Sequence, residues 1–208
     1  MPPQVTHYFD YKSPYAYLAQ EATYALEDDF GITVQRLPYT LDIPSFLGEA
    51  RLNERGEDTI GTRSAHQWRR VRYSYMDCRR EASRRGLIVR GPQKIWDSSR
   101  AHIAFLYAQT HGAARAFHDA VYLRFWRREL DLEDLSVLKG LLSECAIETH
   151  DFLDFVAGPG RVEHDRIRED AEALGVFGVP SWLVDGELFW GSERLELVRE
   201  RIANSTPA

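Results

Sequence analysis

Strand-like patterns occur only near the two ends of this 208-residue chain, and that distribution constrains its fold more than any other feature. Near the start, residues 5–9 (VTHYF) follow the two-residue repeat of a strand, which places Val5, His7 and Phe9 on one face. An amphipathic helix is predicted from Pro14 to about Asp28, and residues 32–37 (ITVQRL) then indicate a second strand. A strand, a helix and a second strand form a βαβ unit, so these two strands should be parallel.

The far end has a different order of elements. Residues 181–185 (SWLVD) and 187–190 (ELFW) are short apolar segments typical of strands. The Asp-Gly dipeptide at 185–186 is a strong signal for a tight hairpin turn between them. A helix is predicted to begin at 191–192, because apolar residues recur on one face of the segment that follows. The end of the chain is therefore a ββα unit.

The segment between these two units is predicted to be helical throughout. Glycine and proline divide it into helices near 63–85, 98–110, 113–128, 133–146, 149–157 and 161–174. The two ends are expected to share one mixed sheet, an element order that is typical of the thioredoxin fold. We therefore predict an α/β protein with a thioredoxin-like domain at 1–44 and 171–208. An all-helical insertion is predicted at 45–170.

Charge and composition limit the partners. The net charge of −6 argues against nucleic acid as the main partner. No apolar run approaches the roughly 20 residues that span a bilayer, so no membrane association is expected. The N-terminus lacks a basic region followed by an apolar stretch, so we expect no signal peptide and a cytoplasmic protein.

Metal and histidine chemistry are not indicated. Cys78 and Cys145 are far apart, and the histidines lack the spacing of a metal motif, so no metal site is expected. The run Glu163-His164-Asp165 is interpreted as a solvated face of a helix rather than as a catalytic group.

The segment Ser13-Pro14-Tyr15-Ala16 follows the first strand and begins the first helix. Thioredoxin-like oxidoreductases carry Cys-x-x-Cys at this place, and here both sulfurs are replaced. Dithiol exchange at this site is therefore impossible, because that reaction needs sulfur. The helix N-terminus still offers free N–H groups and the positive end of the dipole, which would stabilise an external thiolate. Alternatively, Ser13 is only a helix N-cap.

Two further segments could complete a binding site with Ser13. Val179-Pro180 precedes the third strand, where thioredoxin-like folds place a cis-proline, and the backbone of Val179 could hold an extended peptide. In the run Trp190-Gly191-Ser192-Glu193, a helix N-terminus could bind a carboxylate and Glu193 an ammonium group. Alternatively, Pro180 merely starts a strand and the run at 190–193 is an ordinary helix cap. Together these features fit a tripeptide with charged ends and a central thiol, as in glutathione.

The motifs FDYKSPYAYLA (9–19) and GVFGVPSWLVDGELFWGSERL (175–195) resemble the 2-hydroxychromene-2-carboxylate isomerase family. That family is related to kappa-class glutathione transferases and to DsbA-type oxidoreductases. The resemblance implies that Ser13 holds the glutathione thiol and acts as the catalytic residue. It also implies that glutathione, as cofactor, is bound by Val179, Pro180, Trp190, Gly191, Ser192 and Glu193. Two residues depart from the family: Glu193 stands where Asp is commoner, and Lys12 should make the rim of the site more basic.

The resemblance implies a glutathione-dependent isomerase that acts on a small aromatic or unsaturated acid, and a homodimer. Two alternatives stay open: a kappa-like glutathione transferase, which uses the same residues, and a non-catalytic thioredoxin-like binding module. The helical insertion is expected to supply the second-substrate pocket, with Trp96, Tyr107 and Trp126 as candidate lining residues.

Overall fold

The computed structural model of the chain describes residues 2–205. In that part of the chain, four strands form one mixed sheet in the order β2-β1-β3-β4: β1 (Val5–Phe9), β2 (Val34–Pro38), β3 (Ser181–Val184) and β4 (Glu187–Trp190). β1 is parallel to β2 and antiparallel to β3, and β4 is antiparallel to β3. The βαβ and ββα units predicted at the two ends therefore share one sheet.

Helices account for most of the remaining chain. They are α1 (Pro14–Phe30), α2 (Ile43–Leu47), α3 (Ala65–Arg84), α4 (Ser99–Thr110), α5 (Ala114–Trp126), α6 (Leu135–Glu144), α7 (Phe152–Ala157), α8 (Pro159–Ala173) and α9 (Leu195–Ser205). The five-residue helix α2 was not predicted, because one turn leaves no periodic pattern to detect. None of the described helices is both long and apolar enough to cross a bilayer.

The core of the first unit lies between one face of the sheet and helices α1 and α9. The strand register places Val5 beside Val34 on one side and Val184 on the other. The buried cluster on this face comprises Val5, Ala19, Leu26, Val34, Trp182, Val184, Val198 and Ile202. Because each large apolar side chain buried in this way contributes about 1.5–3 kcal/mol, this cluster holds the two ends of the chain together.

The chain divides into two compact units. One comprises Met1–Leu41 and Val162–Ala208, and the other is Asp42–Arg161. The second unit contains helices and two isolated bridges, Arg51 with Lys94 and Leu52 with Asp58, but no strand.

Two of the three residues predicted to line a pocket lie inside the core of the second unit. Tyr107 and Trp126 are 1% and 0% exposed, and the Tyr107 hydroxyl donates to the Glu148 carbonyl at 2.7 Å. That prediction is wrong for both residues, because neither presents surface to a ligand. Trp96 is half-buried and packs edge-on against Phe125.

His7 is an unusual core residue in the middle of β1. It lies in register with Arg36 and Trp182, and its ring stacks on the Trp182 indole with 5.0 Å between centroids. Both ring nitrogens are buried and have no hydrogen-bond partner among the described residues. Burial, with a smaller contribution from the charge of Arg36, lowers the pKa of His7 to about 3. The imidazole is therefore neutral in the folded protein at neutral pH.

We predict that His7 makes stability fall in mild acid. In the unfolded chain the imidazole binds a proton near pH 6.5, whereas in the folded protein it resists protonation down to a pKa of about 3. Stability is therefore lost as the pH falls through this window, by about 2.5 kcal/mol between pH 7 and pH 4.5. Urea unfolding at several pH values measures the effect.

The matched variant is His7→Leu, which keeps the volume and removes the titrating group. Its stability should depend less on pH between 7 and 4.5 than that of the wild type. Parallel pH profiles for the two proteins would show that His7 does not resist protonation in the folded state.

Candidate functional site

The predicted site residues lie along one edge of the sheet, and the strand register explains why. Ser181 of β3 pairs with Tyr8 of β1 and with Trp190 of β4. The end of β1, the start of β3 and the end of β4 therefore form one row. The segments that follow or precede this row carry Ser13, Val179 and Pro180, and Gly191 to Glu193, all in the first unit.

Ser13 is the N-cap of α1. Its backbone is extended, with φ −90° and ψ 114°, and its Oγ accepts a hydrogen bond from the Ala16 N–H at 3.2 Å. Pro14 follows as the first helical residue, a position that suits its fixed φ. The hydroxyl hydrogen of Ser13 has no acceptor among the described residues. The Ala16 N–H thus uses one lone pair of the Ser13 oxygen, and the Ser13 O–H is left as a donor.

The Val179–Pro180 peptide bond is cis, and Val179 is buried. The Pro180 carbonyl accepts from the Gly191 N–H at 2.9 Å, and the Ser181 hydroxyl donates to the Gly178 carbonyl at 2.7 Å. These bonds tie the proline loop to the segment after β4. Within the described residues, no hydrogen bond uses the N–H or C=O of Val179, so both are available to an added strand.

Trp190 and the glycines around it form a close-packed corner. A Cβ on Gly178 would lie 2.6 Å from Trp190 Nε1, so the indole rests directly on the glycine backbone. Half of Trp190 is exposed, and its ring lies 4.8 Å from that of Phe177. Gly191 has φ +98°, and the Glu193 carboxylate folds back over its Cα. Only glycine combines that backbone angle with that approach.

The segment after Gly191 differs from its prediction. It begins as a 3₁₀ turn at Ser192–Arg194, and α9 starts only at Leu195. Ser192 Oγ is buried and has no hydrogen-bond partner among the described residues. An unpaired buried hydroxyl is costly unless a ligand supplies its partner.

Asp10 and Lys12 were not predicted as a pair. Asp10 is fully buried, and its two carboxylate oxygens accept from the Lys12 N–H at 3.0 Å and the Leu41 N–H at 2.8 Å. Lys12 Nζ lies 3.6 Å from Asp10 Oδ2, and the side chain is only 7% exposed. The expectation that Lys12 adds positive charge to the rim of the site is therefore wrong. The ammonium is buried against a carboxylate, which cancels its charge.

His164 is also buried, so the interpretation of Glu163-His164-Asp165 as a solvated face is wrong at its central residue. His164 is 3% exposed; its Nε2 lies 2.8 Å from Thr40 Oγ1 and its Nδ1 2.9 Å from Asp165 Oδ1. The missed signal was the spacing of His164 with Ile167 and Ala171, which places all three on the buried face of α8.

Two tyrosines near this edge remain protonated at neutral pH. Burial raises the pKa of Tyr8, with a further contribution from the charge of Asp170. Burial also raises the pKa of Tyr39, with Glu172 acting in the same direction. Among the described residues, no group of three or more histidine, cysteine or acidic side chains could hold a metal ion.

The chain belongs to the family of proteins with a DSBA-like thioredoxin domain, whose sequence profile matches residues 4–203. The predicted thioredoxin-like fold with a helical insertion is thereby confirmed.

Two relatives in sequence carry the same name. The chain is 29% identical to a 2-hydroxychromene-2-carboxylate isomerase from Sphingobium xenophagum, over 93% of this chain and 95% of that protein. It is 28% identical to a protein of the same name from Pseudomonas putida, over 92% and 90% of the two chains. A solved structure of 2-hydroxychromene-2-carboxylate isomerase superposes with a TM-score of 0.74 at 21% identity, covering 96% of this chain and 94% of that one. The predicted resemblance to this group of proteins is confirmed.

We predict that Gly178→Ala displaces Trp190. The added methyl group would meet the indole at 2.6 Å, so the ring must leave its contact with Phe177. Loss of an aromatic pair of this kind costs about 0.5–1.5 kcal/mol. The melting temperature should therefore fall, and the near-ultraviolet circular dichroism of the aromatic residues should change.

Gly140→Ala is the matched control. Gly140 lies inside α6, where an added Cβ meets nothing within 4 Å. Because alanine is the better helix former, this change should stabilise the protein by about 0.5–1 kcal/mol. If the two variants shift the melting temperature in the same direction, the packing of Trp190 on Gly178 is not the cause.

Proposed function

We propose that this protein is a glutathione-dependent isomerase of the 2-hydroxychromene-2-carboxylate isomerase type. The observation that carries the proposal is Ser13, which stands at the N-terminus of α1 with a free hydroxyl donor. In thioredoxin-like proteins the redox cysteine occupies this position. The names of the relatives support isomerisation as the reaction.

The unpaired polar groups at the sheet edge match the parts of glutathione. The thiol would lie at Ser13, and the peptide backbone would pair with the N–H and C=O of Val179 beside Pro180. The γ-glutamyl end carries a carboxylate and an ammonium group. Ser192 Oγ, which is buried without a hydrogen-bond partner in the described part of the chain, suits the carboxylate. The carboxylate of Glu193 suits the ammonium group. Trp190 and Gly191 would form the wall and floor of this end.

Ser13 and α1 would favour the ionised thiol. The helix dipole stabilises an anion at its N-terminus by about 0.3–1 kcal/mol, and a hydrogen bond to a charged group by about 1.5–3 kcal/mol. Together these lower a thiol pKa by roughly one to three units. Because an ordinary thiol has a pKa near 8.5, a shift of more than about 1.5 units within this range makes the thiolate the main form at neutral pH.

When bound at Ser13, Val179 and Ser192, glutathione would supply a thiolate that adds reversibly to an unsaturated aromatic acid and is released unchanged. The protein orients the thiol at Ser13 and stabilises its charge before and after this exchange. Neither Cys78, which is buried in α3, nor Cys145, which follows α6, belongs to the unit that holds Ser13.

Two other functions fit the same residues. A kappa-like glutathione transferase would release the adduct as product, and a non-catalytic module would bind glutathione without turnover. If the protein is an isomerase, a catalytic amount of glutathione should bring an excess of 2-hydroxychromene-2-carboxylate to equilibrium with its isomer, with no glutathione consumed. Conjugation of a standard electrophile, with glutathione consumed, would favour the transferase. Retention on glutathione resin without either activity would favour the binding module.

We further propose that the protein acts in the cytoplasm as a homodimer, on the basis of the sequence and the family resemblance alone. Light scattering at working concentration tests the dimer: twice the mass of one chain supports it, and the mass of one chain contradicts it.

We predict that Ser13→Ala lowers turnover much more than glutathione binding. Removal of the hydroxyl takes away one bond to the thiolate and leaves the other contacts, so the dissociation constant should change by only a few fold. Turnover near pH 7 should fall by roughly 5- to 20-fold, because less of the thiol is ionised. The lost activity should partly return at higher pH, where the thiol ionises unaided. Steady-state kinetics and calorimetry between pH 6 and pH 9 separate the two effects.

Ser64→Ala is the matched control, because Ser64 caps α3 in the same way through the Gln67 N–H. Both variants should lose about 1 kcal/mol of stability from the missing cap. Only Ser13→Ala should change the pH dependence of turnover. Equal effects of both variants on turnover would mean that Ser13 serves the protein only as a helix cap.

A further inference from the structure

The turn that presents Ser13 is built on a buried carboxylate. Asp10 is fully buried, and it accepts from the backbone N–H groups of Lys12 and Leu41. Its own carbonyl accepts from the Ser13 N–H at 3.0 Å. Two backbone donors hold the carboxylate in its charged form, since hydrogen bonds to an ionised oxygen favour ionisation. A fixed negative charge therefore lies three residues before the proposed thiol site.

Such a charge opposes a thiolate at Ser13. A carboxylate and a thiolate repel each other, and the repulsion raises the pKa of the thiol. In general, two like charges about 8–10 Å apart at an effective dielectric constant near 20 shift a pKa by about one unit. Left uncompensated, Asp10 would cancel much of the stabilisation that the helix and the Ser13 hydroxyl provide.

Lys12 supplies the compensating charge. Its ammonium lies 3.6 Å from Asp10 Oδ2, and the side chain is almost fully buried beside the carboxylate. Burial of a lysine is costly unless the charge is paired, so this placement would be unfavourable without Asp10. The Lys12 side chain does not extend into solvent, because only 7% of it is exposed.

We propose that Lys12 is a positioning residue, whose ammonium neutralises Asp10 so that the N-terminus of α1 can hold a thiolate at Ser13. With glutathione as the thiol, this inference rests on the proposed function. For any thiol placed at this position, it rests on the geometry of the Asp10–Lys12 pair alone.

Other charged groups flank the same edge. Glu193 and Arg194 lie in the 3₁₀ turn after β4, and the His164–Asp165 pair on α8 reaches the end of β2 through Thr40. All four are unchanged in the variants below, so differences between variants report on Asp10 and Lys12.

The test places a thiol in the turn itself. In a Ser13→Cys background, the rate of alkylation of position 13 by iodoacetamide is followed against pH by mass spectrometry of the corresponding peptide. This readout separates the new thiol from those of Cys78 and Cys145. The variants Lys12→Met, Lys12→Arg and Asp10→Asn, and the double change Lys12→Met with Asp10→Asn, are compared in this background.

We expect Lys12→Met to raise the midpoint of the alkylation rate against pH, which is the pKa of the thiol at position 13, by about one unit. Lys12→Arg should leave this midpoint near its starting value. Asp10→Asn alone should lower the midpoint, and the double variant should lie close to the parent. If Lys12→Met lowers the melting temperature but leaves the midpoint unchanged, Lys12 only stabilises the turn and the proposal is wrong. Should Asp10→Asn not fold, the contrast between Lys12→Met and Lys12→Arg still decides the matter.

This test can fail independently of the proposed function, because it needs no glutathione. A midpoint that responds to Lys12 in a protein that does not bind glutathione would refute the proposed function and support the role of Lys12. If the protein turns over substrate with glutathione and the midpoint does not change in the Lys12 variants, the proposed function is supported and the role of Lys12 is refuted.

Discussion

The backbone N–H groups in the first turn of α1 need hydrogen-bond acceptors, and the candidate site lies at this helix end. Ser13 satisfies the Ala16 amide with its oxygen and keeps its hydrogen for another partner. The sheet register then brings the cis-proline loop and the end of β4 to the same edge. The positive end of α1 and the Ser13 hydroxyl donor favour an ionisable thiol. The backbone of Val179, which makes no hydrogen bond to the described residues, favours an extended peptide.

Much of this architecture is readable from local patterns. The alternation in residues 5–9, the Ser-Pro helix start and the Asp-Gly turn at 185–186 each depend on neighbours in sequence, and they predicted β1, the start of α1 and the hairpin of β3 and β4. Helix ends were less accurate: α1 continues to Phe30, where Gly31 with φ +61° ends it, two residues past the prediction. One mixed sheet was predicted because a βαβ unit and a hairpin can be joined in few ways, but the strand order β2-β1-β3-β4 was not predicted.

The residues that the sequence misplaced are polar side chains whose environment depends on the tertiary fold. Lys12 looks like a surface residue, but its ammonium lies buried beside the Asp10 carboxylate. His164 lies in a strongly charged helix, whose many charges obscure its spacing with the buried residues Ile167 and Ala171. Tyr107 and Trp126 are suitable types for a ligand pocket, yet they fill the core of the helical unit. Sequence periodicity reports which face of an element is apolar, and it does not report which polar group that face encloses.

The central claim is that Ser13 and the N-terminus of α1 hold an external thiol as a thiolate. The most direct measurement is the ultraviolet absorbance of the thiolate of bound glutathione, titrated against pH in the wild type and in Ser13→Ala. We expect a midpoint in the wild type that is roughly one to two pKa units lower than in the variant, because the variant loses the hydroxyl but keeps the helix dipole. If the two midpoints coincide, Ser13 is only the cap of a helix, and the thiol is not activated at this site.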